Sequence, residues 1–131
     1  MIQVEKAASS GLSSIIVPTT PARTFNTDFT PHATRPVLVM YSVQIGCTTT
    51  LLSGDDGSIE LRSDSAATPT TVRASMRNRL FQGLGVTIGT NSVVRSELVY
   101  LVPPGHNVRL ATVTAVAAPV YTIVHQTEIA L

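Results

Sequence analysis

The chain has 131 residues, of which 44% are hydrophobic and only 13% are charged, and its formal net charge is +1. This length suits one domain with a modest core. So little charge predicts that much of the surface is hidden in an oligomer or on a larger assembly. A nearly balanced charge offers no field to attract nucleic acid, and no segment approaches a membrane-spanning length. Neither a nucleic acid nor a membrane is therefore an expected partner.

The basic residues and the single cysteine indicate the contacts and the cellular compartment of the chain. Lys6 is the only lysine among nine basic residues, and arginine favours contacts with other chains, although a GC-rich genome gives the same bias. Cys47 is the only cysteine, which excludes an internal disulfide and predicts a small buried residue. The chain start lacks the basic and apolar regions of a signal peptide. The protein is expected to be made, and to stay, in a reducing cytoplasm.

Residues 1–36 are predicted to form an extended arm. Prolines fix backbone angles and remove hydrogen-bond donors, which excludes a helix here. The prolines of the arm are Pro18, Pro21, Pro31 and Pro36. Its apolar residues need a surface to lie on, either a neighbouring subunit or the domain's own sheet. The candidate assembly contacts are Ile15, Ile16, Val17, Phe25, Phe29 and Arg35.

Residues 37–131 change to a hydrophobic period of two, which indicates β-strands. The first run places on one face Val37, Val39, Tyr41, Val43 and Ile45, and on the other Leu38, Met40, Ser42 and Gln44. Further strand-like runs are SIELRS, TTVRASMR, SVVRSELVYLV, NVRLATVT and PVYTIVHQTEIAL. The residues expected to face inward in three of them are Ile59, Leu61, Val72, Ala74, Met76, Leu98, Tyr100 and Val102.

Turn signals separate these runs, namely SGDDGS, SDSAATPT, GTNS and PPGHN. Six to eight short strands with turns at such intervals predict an all-β fold, an antiparallel β-sandwich that is jelly-roll-like. The chain is therefore expected to contain an arm at 1–36 and a sandwich domain at 37–131. The nearest approach to a helical pattern, VRASMRNRLFQGL, reads equally well as strand plus loop.

Histidines and paired acids are the first candidates for chemistry. In PPGHN, Pro104 and Gly105 suit the centre of a type II turn, so His106 begins the returning strand. A zinc site formed by the three histidines, His32, His106 and His125, is an alternative without the usual ligand spacing. Asp55 and Asp56 are expected in a solvated hairpin, with calcium binding as the alternative.

No sequence motif supports catalysis or a cofactor. The chain has no G-x-S-x-G elbow and no phosphate-binding glycine loop, and its lack of tryptophan gives little material for stacking sugars. We expect a protein that is not an enzyme and has no cofactor and no metal. The candidate exposed loop contacts are Asp55, Asp56, His106 and Asn107. The alternatives are a small hydrolase with His106 or His125 as base, and a soluble carbohydrate-binding module.

Four segments carry a resemblance to a known family. They are RTFNTDFTPHATRPVLVMYSVQI (Arg23–Ile45), GSIELRSDSAATPTTVRA (Gly57–Ala74), LVYLVPPGHNVRLATVT (Leu98–Thr114) and the terminal QTEIAL. Together they resemble small domains of tailed-bacteriophage virion proteins, which occur as separate short proteins or at the ends of tail-fibre-like chains. The resemblance covers roughly residues 23–131 and rests on an overall pattern rather than on a catalytic signature.

The resemblance implies a compact, oligomeric β-sandwich without cofactor, displayed on the virion and made in the cytoplasm of a bacterial host. Its expected function is that of a structural protein that cements or decorates the capsid, because no fibrous shaft precedes the domain. The alternative is a tail-fibre or receptor-binding module that contacts the host through its loops. Expected partners are further copies in a dimer or trimer, and the major capsid protein or a tail protein.

Overall fold

The computed structural model describes residues 17–49, 53–81 and 91–131. Within them the chain forms eight strands and no helix. The strands are β1 (Pro18–Thr19), β2 (Asp28–Phe29), β3 (Val37–Thr48), β4 (Asp55–Asp64), β5 (Val72–Leu80), β6 (Asn91–Val102), β7 (Asn107–Val116) and β8 (Val120–Ala130).

The strands form two four-stranded antiparallel sheets that pack as a sandwich, so the all-β sandwich prediction is confirmed. Sheet A has the order β1-β8-β3-β6, and sheet B has the order β2-β7-β4-β5. Every connection crosses from one sheet to the other except the β4–β5 hairpin. Strands that are neighbours in a sheet therefore come mostly from distant parts of the chain.

The core lies between the two sheets and follows the predicted alternation. The inward residues of β3, from Val37 to Cys47, are all buried. Facing them from sheet B are Ile59 and Leu61 of β4 and Val108 and Leu110 of β7. Cys47 is buried as expected, and this burial raises the pKa of its thiol. The period of two thus identified the inner face of β3 correctly.

Strand β5 departs from the prediction at its start. Met76 is buried and Ala74 packs against the core, but the Val72 side chain is 45% exposed. A bulge causes this, since Leu61 pairs with Ala74 while the next residue of β4 pairs with Val72. The extra residue shifts the register, and Val72 then points outward. The prediction for Val72 was wrong because alternation along one strand does not reveal a bulge.

The described part of the arm, residues 17–36, closes one side of the sandwich. It begins as β1, which pairs with β8 at the edge of sheet A. It then passes to the edge of sheet B, where it pairs with β7 as β2. Phe25 and Phe29 insert from this side and contact Tyr121 and Tyr41, respectively, edge to face. For these two residues the receiving surface is the core of their own domain, while Ile15 and Ile16 lie outside the described residues.

Connections gather at two opposite ends of the sandwich. The β2–β3, β4–β5 and β6–β7 connections share one end with the C-terminus, which we call the upper end. There the predicted type II turn is confirmed, because Gly105 has φ +75° and the His106 amide donates to the Pro103 carbonyl oxygen at 3.2 Å. The SGDDGS segment lies at the lower end, beside the end of β3.

Candidate functional site

The two adjacent acids that were expected in an exposed hairpin are buried in a strand. Asp55 and Asp56 begin β4 and are only 6% and 4% exposed. The Asp55 carboxylate accepts hydrogen bonds from the backbone amides of Thr48, at 2.8 Å, and Ala118, at 3.0 Å. Asp55 therefore joins two connections at the lower end. The prediction that these acids are exposed loop contacts was wrong, because remote parts of the chain supply their partners.

Asp56 is held by an ion pair instead of backbone amides. Arg77 of β5 binds both of its carboxylate oxygens, at 2.8 and 2.5 Å, and Arg79 lies 3.9 Å away. The hydrogen bonds from Arg77 lower the pKa of Asp56. A carboxylate occupied in this way is structural and is not presented to a calcium ion or a receptor.

The histidines lie in separate surroundings. His32 accepts hydrogen bonds through Nδ1 from the backbone amides of Thr34 and Arg35, which shapes the β2–β3 connection. His125 lies in β8 beside Thr127. In the part of the chain that the structure describes, no three His, Cys, Asp or Glu side chains form a metal-binding group.

His106 and Asn107 lie at the upper end and are only partly exposed. Asn107 donates to the Ala66 carbonyl oxygen at 2.8 Å and accepts from the Thr30 hydroxyl at 2.5 Å. It therefore ties three connections together. Nδ1 of His106 is buried without a hydrogen-bond partner among the described residues. The four predicted loop contacts thus fall at opposite ends of the sandwich and do not form one surface.

Two further predicted contacts lie where the arm meets the upper end. Val17 is exposed, just ahead of β1. The Arg35 guanidinium donates to the carbonyl oxygens of Leu131, at 3.0 Å, and Ala130, at 3.4 Å, so it holds the C-terminus within its own chain.

A set of apolar side chains on the outer side of sheet A was missed by the sequence reasoning. We call it the apolar face, and it consists of Pro18, Leu38, Met40, Val99, Leu101 and Ile129. The strand register places Pro18, Ile129, Leu38 and Leu101 in one row across all four strands. Val99 and Leu101 are 46% and 49% exposed. Contiguous exposed apolar residues of this kind mark interaction surfaces.

A polar band borders the apolar face toward the lower end. It contains Ser42, His125 and Glu97 in one row, followed by Gln44 and Arg95 in the next. Arg95 donates to the Gln44 side-chain oxygen at 3.2 Å. Arg95 and Glu97 supply the charge on this side of the sheet, and neither has an ion-pair partner among the described residues.

The outer side of sheet B is charged instead. We call it the charged face, and it consists of Asp56, Glu60, Arg62, Arg77, Arg79 and Arg109. Arg62 pairs with Glu60 at 2.6 Å. Arg109 pairs with Asp28 of β2 at 3.0 Å. Sheet B therefore presents a surface that is solvated and internally paired, whereas sheet A presents an apolar one.

A buried ion pair fixes the arm beside the apolar face. Glu128 of β8 is 4% exposed and accepts two hydrogen bonds from Arg23, both at 2.8 Å, and one from the Tyr41 hydroxyl at 2.5 Å. Arg23 also stacks on Phe29 at 4.0 Å. Burial and the hydrogen bond to Glu128 raise the pKa of Tyr41, which keeps its hydroxyl a donor. These groups satisfy one another, so the cluster fastens the arm to sheet A.

One signal for the apolar face was present in the sequence. The start of β3, VLVMY, is apolar at every position and so breaks the apolar–polar alternation of a half-exposed strand. A continuous apolar run indicates a strand covered on both faces. Leu38 and Met40 thereby mark a second surface that a partner would cover.

No helix among the described residues is long and apolar enough to cross a membrane. Comparison with protein-family models, with curated proteins and with solved structures gives no match to this chain.

Proposed function

We propose that this protein is a bacteriophage virion structural protein, an oligomeric β-sandwich that cements or decorates the capsid and is made in the cytoplasm of the bacterial host. The observation that carries the proposal is the apolar face. A sheet face with exposed Val99 and Leu101 gains free energy when a partner covers it, at about 25 cal/mol per Å² of apolar area. A large shell supplies such a partner in many copies.

The arrangement of the arm supports an assembly role. Pro18 belongs to both the arm and the apolar face, and Val17 lies exposed directly ahead of it. Val17 and Pro18 therefore place the start of the described arm at the corner of sheet A where the apolar row lies. The hydrogen bonds of Glu128 with Arg23 and Tyr41 anchor the arm near that corner. The arm is therefore well placed to contact the same neighbour as the apolar face.

We further infer that the sandwich is a jelly roll. The chain alternates between sheets in such a way that the first strand pairs with the last and the second with the seventh. Two interleaved four-stranded sheets of this order are the arrangement of an eight-stranded double Greek key, an architecture found in viral capsid and lectin domains. This supports the virion proposal at the level of architecture only.

The alternative is a tail-fibre or receptor-binding module. The observation that favours it is the group of connections at the upper end, where Asn107 links the β4–β5 and β6–β7 connections with the arm. Exposed loops held by a rigid sandwich are a common binding arrangement. In this reading the upper end contacts a host glycan or protein, and the apolar face contacts the fibre.

The copy number of the protein in purified particles tests the proposal. Quantitative mass spectrometry measures its amount relative to the major shell protein. A copy number comparable to that of the shell protein supports cementing or decoration. A few copies to a few dozen per particle support the tail alternative instead. Absence from particles would overturn both.

A further inference from the structure

The four outer edges of the two sheets differ in how they are protected. Unpaired edge strands are templates for pairing with other chains, and proteins guard them with short strands, proline, charges or bulges. β1 and β2 are two residues long, and β1 contains Pro18. β5 has a bulge and exposed arginines at Arg73, Arg77 and Arg79. These three edges are poor templates.

β1 and β2 cover only two residues each of β8 and β7, but bulges interrupt the pairing of both of those strands. β6 is the longest uninterrupted edge among the described strands. It runs for twelve residues, from Asn91 to Val102, and pairs with β3 in continuous register without a bulge. It contains no proline and no lysine. Its outer side carries no strand among the described residues. Near the lower end of β6, the Asn78 side chain of β5 donates a hydrogen bond to the Ser92 carbonyl oxygen.

We propose that β6 pairs antiparallel with β6 of a second copy, about a two-fold axis that passes Ser96. This inference rests on the oligomeric part of the proposed function and names the contact. An edge strand that is long and regular, with no proline, lysine or bulge, offers the backbone groups that such pairing uses, and its two opposite charges can pair with those of a second copy.

The charges of β6 determine the register. About a two-fold axis at Ser96, Arg95 lies opposite the partner's Glu97, and Glu97 lies opposite the partner's Arg95. The same register places Val93 opposite the partner's Val99. Directly opposite residues of antiparallel strands share a face, and all of these lie on the outer side of sheet A. The two charges that lack an ion-pair partner within the described chain thus acquire one.

Neighbouring registers are disfavoured by the same charges. An axis at Arg95 sets this residue against its own copy, and an axis at Glu97 sets two carboxylates together. Like charges directly opposite one another destabilise strand pairs. Of these three registers, only the one centred on Ser96 places opposite charges against each other.

The pairing also extends the proposed docking surface. A two-fold axis perpendicular to the sheet leaves both outer faces on the same side, so the two copies of sheet A become one eight-stranded sheet. The Val99 side chain of each copy then lies opposite the partner's Val93, and the apolar faces of the two copies lie on the same side of this sheet, at diagonally opposite ends. The dimer presents a surface that is wider than that of one copy.

Charge reversal in the full chain tests the interface. Sedimentation velocity or light scattering over a concentration series gives the dimer dissociation constant. We expect Arg95→Glu and Glu97→Arg each to weaken self-association at least about tenfold, because each sets like charges opposite one another twice. Arg79→Glu on β5 is the matched control and is expected to leave the dissociation constant unchanged.

Mixing the two variants separates an interface effect from misfolding. The Arg95→Glu chain carries two acids at these positions and the Glu97→Arg chain two bases, so an equimolar mixture regains both opposite-charge pairs as a heterodimer. The Arg95→Glu, Glu97→Arg double variant regains them as a homodimer. A wild-type monomer at all concentrations, single variants with the wild-type dissociation constant, or a mixture that associates no more tightly than the single variants would each overturn the interface. None of these results depends on the particle copy number, which tests the virion function separately.

Discussion

The outer faces of the two sheets differ in composition, since that of sheet A is largely apolar and that of sheet B is charged. Both sheets bury one side in a shared core and leave the other side outward. On sheet B, Arg62, Arg77 and Arg109 each pair with an acid that lies across or along the sheet. On sheet A, the upper half of the face is apolar except for Thr127, and Val99 and Leu101 are exposed. The fold itself therefore requires neither an apolar nor a charged outer face.

The difference supports the apolar face as the surface that we propose for assembly. Exposed ion pairs contribute about 0–1 kcal/mol each, so the charged face mainly keeps that side in water. Exposed apolar side chains contribute almost nothing to folding until they are covered. An apolar face opposite a well-solvated one is therefore the arrangement that the proposed partner would account for.

The largest expected effect comes from the ion pairs that fix the arm to each sheet. Glu128→Ala leaves the Tyr41 hydroxyl and the Arg23 guanidinium without their buried acceptor, and we expect the free energy of unfolding to fall by about 3 kcal/mol. Asp28→Ala removes the corresponding but more exposed pair with Arg109 on sheet B, at about 1 kcal/mol or less. Urea denaturation measures both. Equal losses of unfolding free energy in the two variants would contradict the expected difference between the buried pair on sheet A and the more exposed pair on sheet B.

The second effect concerns docking. Met40 lies on the apolar face but on β3, away from the β6 edge, so Met40→Asp is expected to reduce binding to particles at least about tenfold. The matched control is Ser75→Asp on the outer side of sheet B, which should bind like the wild type. Binding is measured by cosedimentation with particles that lack the protein. If both variants bind normally, the apolar face is not the docking surface.

The smallest effect is the acid sensitivity of the outer side of sheet B. Hydrogen bonds from the backbone amides of Thr70, Ala66 and Thr71 lower the pKa of Asp64 to about 2, from 3.8. Because the folded pKa is depressed, this stabilisation is complete above about pH 4 and is lost as the pH falls toward about 2. Asp64→Asn should therefore flatten the decline of the unfolding free energy across that interval, measured by denaturation at a series of pH values. A slope identical to that of the wild type would show that Asp64 does not contribute.

Much of the fold was predictable from local pattern. The alternation from Val37 to Ile45 gave the buried face of β3, and Pro104-Gly105 gave the turn before β7, because both depend on residues close in sequence. The candidate site was less predictable. Asp55 and Asp56 resembled a hairpin tip because adjacent acids and glycine favour turns, yet Thr48, Ala118 and Arg77 bury them in a strand.

The sequence by itself determined which segments are strands, which side of most of them is apolar, and that the chain has more apolar surface than one sandwich buries. Only the tertiary structure decided the strand order, and with it the edge position of β6 and the row formed by Pro18, Ile129, Leu38 and Leu101. The physical reason is that periodicity reports the two sides of a single strand, whereas edges and faces arise from pairing between segments far apart in the chain.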